Sequence, residues 1–241
     1  MIRILLLAAA LANAAQAGAH TISVIISTGK SAYTQSLQLD SGPANFAGVV
    51  GNPPRRMVLN ASLGPPRAGK SLLEYQLELS SVGTDLTSFQ ARSAIWLEPG
   101  ARLAAVDCAG YLVTISLDEA PGAKAPASFA SQNDYRLTIS RDAGPAKRCR
   151  VLSDNGAQMS VIYNAMSAGR NSMFSVNSAL SGTGDRFKLA YQLMDTFVSP
   201  VLQKQGEALL TPRAPVTADG ATWLLEGPPP AAAPAAVPLL R

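Results

Sequence analysis

The chain has 241 residues, of which 47% are hydrophobic, 6% aromatic and only 15% charged, with a formal charge of +4 and two cysteines. That length holds one large domain or two smaller ones, and the apolar content excludes a chain that is disordered throughout. The basic residues are scattered, with Arg55-Arg56 and Lys147-Arg148-Cys149-Arg150 as the clusters and no aromatics interleaved, so no nucleic-acid partner is expected.

At the N-terminus Arg3 precedes ILLLAAALANAA and the small residues Ala15-Gln16-Ala17. This reads as a secretory signal peptide over 1–17, cleaved after Ala17, with Ala19 as the alternative. No cysteine stands at that boundary, so no lipid anchor is expected, and no later apolar run approaches the ~20 residues of a membrane-spanning helix. The expected product is a soluble periplasmic or extracellular protein with no transmembrane span. Cleavage after Ala17 would leave Gly18-Ala19-His20 at the new terminus, where amine, amide nitrogens and imidazole can form a nitrogen set suited to Cu(II) or Ni(II). An incidental histidine is the simpler reading, and no cofactor is expected.

Residues 20–27 (HTISVIIS) and 33–40 (YTQSLQLD) flank the turn Thr28-Gly29-Lys30 and predict a hairpin. Segments 44–50 and 57–63 add two short strands around a loop with Pro53-Pro54. The most legible stretch is 71–103. There Leu73, Tyr75, Leu77 and Leu79 alternate with Glu74, Gln76, Glu78 and Ser80, the period of a strand buried on one face rather than of a helix. A second strand over 89–97 stops at the turn dipeptide Pro99-Gly100, and 111–117 (YLVTISL) is strongly β-forming. Residues 121–128 (PGAKAPAS) read as a linker.

Beyond it the pattern returns. Strands are predicted over 135–140 and 148–153 before Asp154-Asn155-Gly156, then over 158–163 and 173–180. Tyr191-Gln192-Leu193 then answers Tyr75-Gln76-Leu77, Leu209-Leu210-Thr211-Pro212 answers Trp96-Leu97-Glu98-Pro99, and 222–225 answers 111–113. A tandem duplication explains these correspondences. The expected fold is all-β: two antiparallel β-sandwich-like domains, 18–120 and 134–226, joined by a Pro/Ala/Gly linker at 121–133. A Pro/Ala-rich tail at 227–241 is expected to be extended and disordered.

Cys108 and Cys149 are disulfide candidates in an oxidising compartment. A bridge would tie the end of the first repeat to an early strand of the second; two buried free thiols are the alternative.

Several motifs resemble chemistry without its context. Residues 64–71 (GPPRAGKS) match the phosphate-loop pattern, but Pro65 and Pro66 remove two of the backbone N–H groups such a loop uses, and a strand rather than a helix follows. A hairpin loop is expected there. Ser27-Thr28-Gly29-Lys30 and Ser153-Asp154-Asn155 match two of three signatures of serine β-lactamases and penicillin-binding proteins, and the third, K-T-G or K-S-G, is absent. With His20 as the single histidine, a Ser-His-Asp or Cys-His site or a zinc cluster lacks its parts. A carboxylate pair, Asp107 with Asp118 or Glu119, remains formally open for glycoside hydrolysis.

In the first repeat, Glu78-Leu79-Ser80-Ser81, then Phe89-Gln90-Ala91-Arg92 and Pro99-Gly100, with Gly42-Pro43-Ala44-Asn45-Phe46 upstream, follow an order that resembles the β-domain of bacterial secretins. The likeness covers about residues 33–103. It departs after Leu103, where Ala-Ala-Val-Asp-Cys stands in place of a glycine-glycine-leucine ending. The resemblance implies a related β-fold in the envelope, not a channel.

The function expected from the sequence is a non-enzymatic binding or assembly module acting on unidentified envelope proteins of the secretion or pilus kind. Alternatives are a small-ligand or polysaccharide binder with a groove between the repeats, and a hydrolase with a carboxylate pair.

Overall fold

A computed structural model describes residues 20–29, 31–39, 42–82, 86–118, 134–167 and 169–226. The segments read as signal peptide, linker and tail lie outside those residues, as do Gly18, Ala19, Lys30 and Glu119.

The described chain is strand and connecting turn, with no helix. The first half supplies β1 (His20–Thr28), β2 (Ser31–Leu39), β3 (Ala44–Val50), β4 (Arg55–Leu63), β5 (Ser71–Ser81), β6 (Thr87–Leu97), β7 (Arg102–Cys108) and β8 (Tyr111–Leu117). The second supplies β9 (Asp134–Ser140), β10 (Arg148–Asp154), β11 (Gln158–Ser167), β12 (Arg170–Thr183), β13 (Arg186–Asp195), β14 (Leu202–Leu210), β15 (Val216–Ala218) and β16 (Ala221–Glu226).

These form two eight-stranded antiparallel sheets. Sheet I runs β15-β16-β9-β10-β7-β8-β1-β2 and sheet II runs β14-β13-β12-β11-β6-β5-β4-β3. Each half gives its first two and last two strands to sheet I and its middle four to sheet II, in the same order. The all-β reading with two sandwich-like halves therefore holds. What alternation could not show is that the halves also pair directly: β10 lies beside β7 in sheet I, and β11 beside β6 in sheet II.

Period-two alternation builds the core. Ile22, Val24 and Ile26 of β1 point inward from sheet I, and Leu73, Tyr75, Leu77 and Leu79 of β5 point inward from sheet II, all buried. Phe187, Leu189, Tyr191 and Leu193 of β13 repeat the β5 pattern. The buried side chains form one apolar layer that continues through both halves. Each large member contributes about 1.5–3 kcal/mol relative to an exposed position.

The stretch 64–70 is the β4–β5 hairpin connection. Arg67 and Lys70 exchange backbone hydrogen bonds of 2.7 and 3.1 Å around Ala68 and Gly69, both at positive φ. Matching two-residue turns close β7–β8 and β15–β16: Ala109 and Asp219 both have φ 52°, followed by Gly110 at 81° and Gly220 at 75°. That match fixes the residue equivalence of the two halves at this end, Cys108 with Ala218.

Candidate functional site

Three features stand out: the joint between the halves, the strand edges left free at the two ends, and a polar row on the outer face of sheet II.

At the joint, β10 pairs with β7 through Cys149↔Cys108, Arg150↔Asp107 and Val151↔Val106. The two cysteines form a disulfide across this pair, with Cα atoms 4.3 Å apart. The bridge thus ties a first-half strand to an early second-half strand, at the place expected. In sheet II, β11 pairs with β6 from Ser160↔Arg92 to Ala165↔Thr87. Asn164 Nδ2 donates to Ser88 Oγ at 3.0 Å across the seam, and Ser93 Oγ donates to the Leu152 carbonyl at 3.0 Å between the sheets. Tyr111 of the first half lies 6.0 Å from Tyr163 of the second, ring centre to ring centre, and stacks on Phe89 at 4.6 Å. Burial raises the Asp154 carboxyl above its ordinary range, opposed by hydrogen bonds from the Trp96 side chain and the Asn155 backbone.

The joint is head-to-tail. Strands β10 and β11 hold the places in their half that β2 and β3 hold in theirs, and β6 and β7 hold the places of β14 and β15. One kind of edge therefore meets the other kind, and among the described residues one edge of each kind is left free: β2 and β3 at one end, β14 and β15 at the other.

On the outer face of sheet II, one register line crosses all eight strands. Asn45, Asn60, Gln76 and Arg92 lie on β3 to β6, and Ser160, Asn177, Gln192 and Gln205 on β11 to β14. Gln192 and Gln205 touch at 3.5 Å. Three shallow depressions of about 350, 600 and 570 Å³ follow this row, floored by small residues such as Ala94, Ala179, Ala190 and Gly206. The first straddles the joint, lined by Gln76 and Arg92 from one half and Ala157 and Gln158 from the other. Uncharged amides dominate the row, so it offers hydrogen-bond donors and acceptors together.

The residues singled out by motif are not assembled. Ser27 lies on β1 next to its last residue and Ser153 lies on β10, with β7 and β8 between the two strands. Asp107 faces Leu112 of β8 while Asp118 follows the far end of that strand, so the two carboxylates are about 20 Å apart at ~3.4 Å per residue. That exceeds the ~5–9.5 Å of a glycosidase pair, and Asp107 faces Arg150 at 3.9 Å. Lys70 of the phosphate-loop pattern is held by Glu98 at 2.8 Å. His20 opens β1 opposite Leu39, while Gly18 and Ala19 lie outside the described residues. Among the described residues, no three His, Cys, Asp or Glu side chains gather as a metal site, and no helix is long and apolar enough to cross a membrane.

Sequence reasoning missed the amide row, the joint and the free edges. A signal for the row was present in the Tyr-Gln-Leu echo, whose central Gln76 and Gln192 are equivalent members of it. Comparison of the chain with family models, curated proteins and solved structures gave no match.

Proposed function

We propose that this chain is an exported, non-enzymatic binding or assembly module that acts on proteins of the cell envelope through the edges of its two sheets. The observation that carries this reading is the joint itself. Strand addition at β6–β11 and β7–β10 is already how the molecule holds its halves together, and among the described residues the same two kinds of edge are left unpaired at its ends. Exposed edges recruit further strands unless charge, proline or shortness blunts them. Strands β2 and β3 are nine and seven residues long and contain no proline and no charged residue.

The test is capture from envelope extract by the immobilised chain, compared with an edge variant, Val49→Lys on β3, and a face variant, Gln76→Ala with Gln192→Ala. Loss of the captured proteins with the edge variant alone is the expected result. Capture indifferent to Val49→Lys overturns the reading.

A polysaccharide or small-ligand binder is the second reading, favoured by the amide row and the depression at the joint. Retardation of the chain in gels containing soluble glycans, abolished by the Gln76→Ala and Gln192→Ala pair, would establish it.

A further inference from the structure

The free edges say what kind of strand they fit. We infer that the partner of each edge is the opposite edge of a second copy of this chain, so that molecules join head-to-tail by repeating the internal joint. This rests on the edge-binding reading above and names its occupant.

The internal register transfers residue by residue. Gln76 pairs with Arg92, and its equivalent Gln192 pairs with Gln205, so Arg92 and Gln205 hold equivalent places; by the same reasoning Ser160 matches Asn45. The internal pair Ser160↔Arg92 therefore becomes Asn45 of one copy opposite Gln205 of the next, and the polar row continues across the contact. In sheet I, Ile26 and Ile139 hold equivalent places opposite Val113 and Trp223, and they pair with Tyr33 and Cys149. Thus Cys149↔Cys108 and Val151↔Val106 become Tyr33 opposite Ala218 and Gln35 opposite Val216. Strand β15 has three residues, Val216–Ala218, and these are the counterparts of the three β7 residues that pair with β10. The short edge is as long as its task in the internal joint.

Exposed apolar side chains point the same way. Asn164 and Ser88, hydrogen-bonded across the internal seam, have as counterparts Val49 and Val201, 64% and 58% exposed. The transferred register sets these two valines directly opposite each other. Leu209, 77% exposed, is the counterpart of Trp96, which is half-buried at the joint. Neighbouring exposed valines on two complementary edges would be covered together by one contact.

Some features make the contact weaker than the joint it copies. Tyr33 and Ala218 replace the disulfide, Gly48 replaces Tyr163, and Lys204 on the inward side of β14 comes opposite Phe46 of the next copy. Because the contact is heterologous and each added copy extends each sheet by eight strands, about 38 Å at ~4.8 Å per strand, it builds an open array rather than a closed pair.

Sedimentation of the purified chain over a range of concentrations is expected to show species of two, three and more copies that grow with concentration. Val49→Lys alone and Val201→Lys alone each give monomers, because each spoils one end. An equimolar mixture of the two gives dimers and nothing larger, since only one intact contact can form. A face-to-face dimer of like edges would instead survive one of the single variants and is refuted or revealed by that result. Independently, a chain carrying Tyr33→Cys with Ala218→Cys should yield a covalent ladder on oxidation. Thr34→Cys with Ala218→Cys, slipped by one residue onto the opposite face, should not.

A chain monomeric up to ~1 mM, with no ladder, overturns self-association. If that monomer still loses its envelope partners on Val49→Lys, the edge reading stands with another protein as occupant; if it does not, both fall.

Discussion

In the first half Leu79 is buried at the end of β5; at the equivalent place in the second half stands Asp195, also fully buried, whose carboxylate is bound by the buried Arg141 guanidinium. Asp195 Oδ1 also accepts the Phe197 N–H at 2.7 Å, Gly144 at φ 89° passes so close that a Cβ there would lie 2.6 Å from Oδ2, and Arg141 lies 5.7 Å from the centre of the Phe174 ring. The tyrosines differ likewise. Tyr75 and Tyr191 are equivalent and both buried, yet the Tyr75 hydroxyl has no hydrogen-bond partner among the described residues while Tyr191 donates to Asp219, in the β15–β16 turn, at 2.6 Å. Identical strand order is thus compatible with quite different fastening. The first half closes its sheets by apolar contact; the second adds fixed polar links between them, which demand complete satisfaction.

The largest effect should come from breaking the ion pair on one side. Asp195→Ala leaves Arg141 buried and unpaired, and urea unfolding should show a loss of about 3–5 kcal/mol. Replacing both partners, Arg141→Leu with Asp195→Leu, makes the second half resemble the first and should recover most of that loss. Next comes the joint: Cys108→Ser with Cys149→Ser frees a crosslink spanning 41 residues and should cost about 2–4 kcal/mol, seen as a lower melting temperature.

A smaller contrast lies in the tyrosines. Tyr191→Phe should lose about 0.5–1.5 kcal/mol, the worth of its hydrogen bond to the exposed Asp219, whereas Tyr75→Phe should be neutral or stabilising, because it removes a buried hydroxyl that has no partner among the described residues. Burial, and after it the Asp219 carboxylate, pushes the Tyr191 phenol up to about 12. A phenol with a raised folded-state value favours folding fully below its ordinary value near 10, and that contribution is lost as pH rises from there through about 12. Stability measured across that window should fall less steeply in Tyr191→Phe than in the parent. Smallest of all, Arg150→Ala removes a half-exposed pair with Asp107 and should change stability by less than about 1 kcal/mol.

Most strands were legible because inward residues alternate cleanly, as Leu73 to Leu79 do in β5. The exceptions have local causes. In β7 a register shift between Ala104 and Val106 breaks the alternation, β14 has few buried positions because it lies at an edge, and β15 is too short to show a period. The joint was illegible for a different reason: which strand lies beside β6 is a property of sheet order, and no period within a strand carries it. Cys108 and Cys149 were the one trace of it in the sequence. The amide row was hidden similarly, because Asn60, Gln76 and Arg92 become neighbours only once the register of three strands is known.

The account depends on edges of one kind being paired inside the molecule and available at its ends. Residue-resolved amide hydrogen exchange at low and high protein concentration tests this most directly. The ladder amides of β10 and β11 should be protected at both concentrations, while the outward amides of β2, β3, β14 and β15 should exchange rapidly when dilute and slow as concentration rises. Joint amides that exchange as fast as the free edges, or free edges already protected at high dilution, would contradict it.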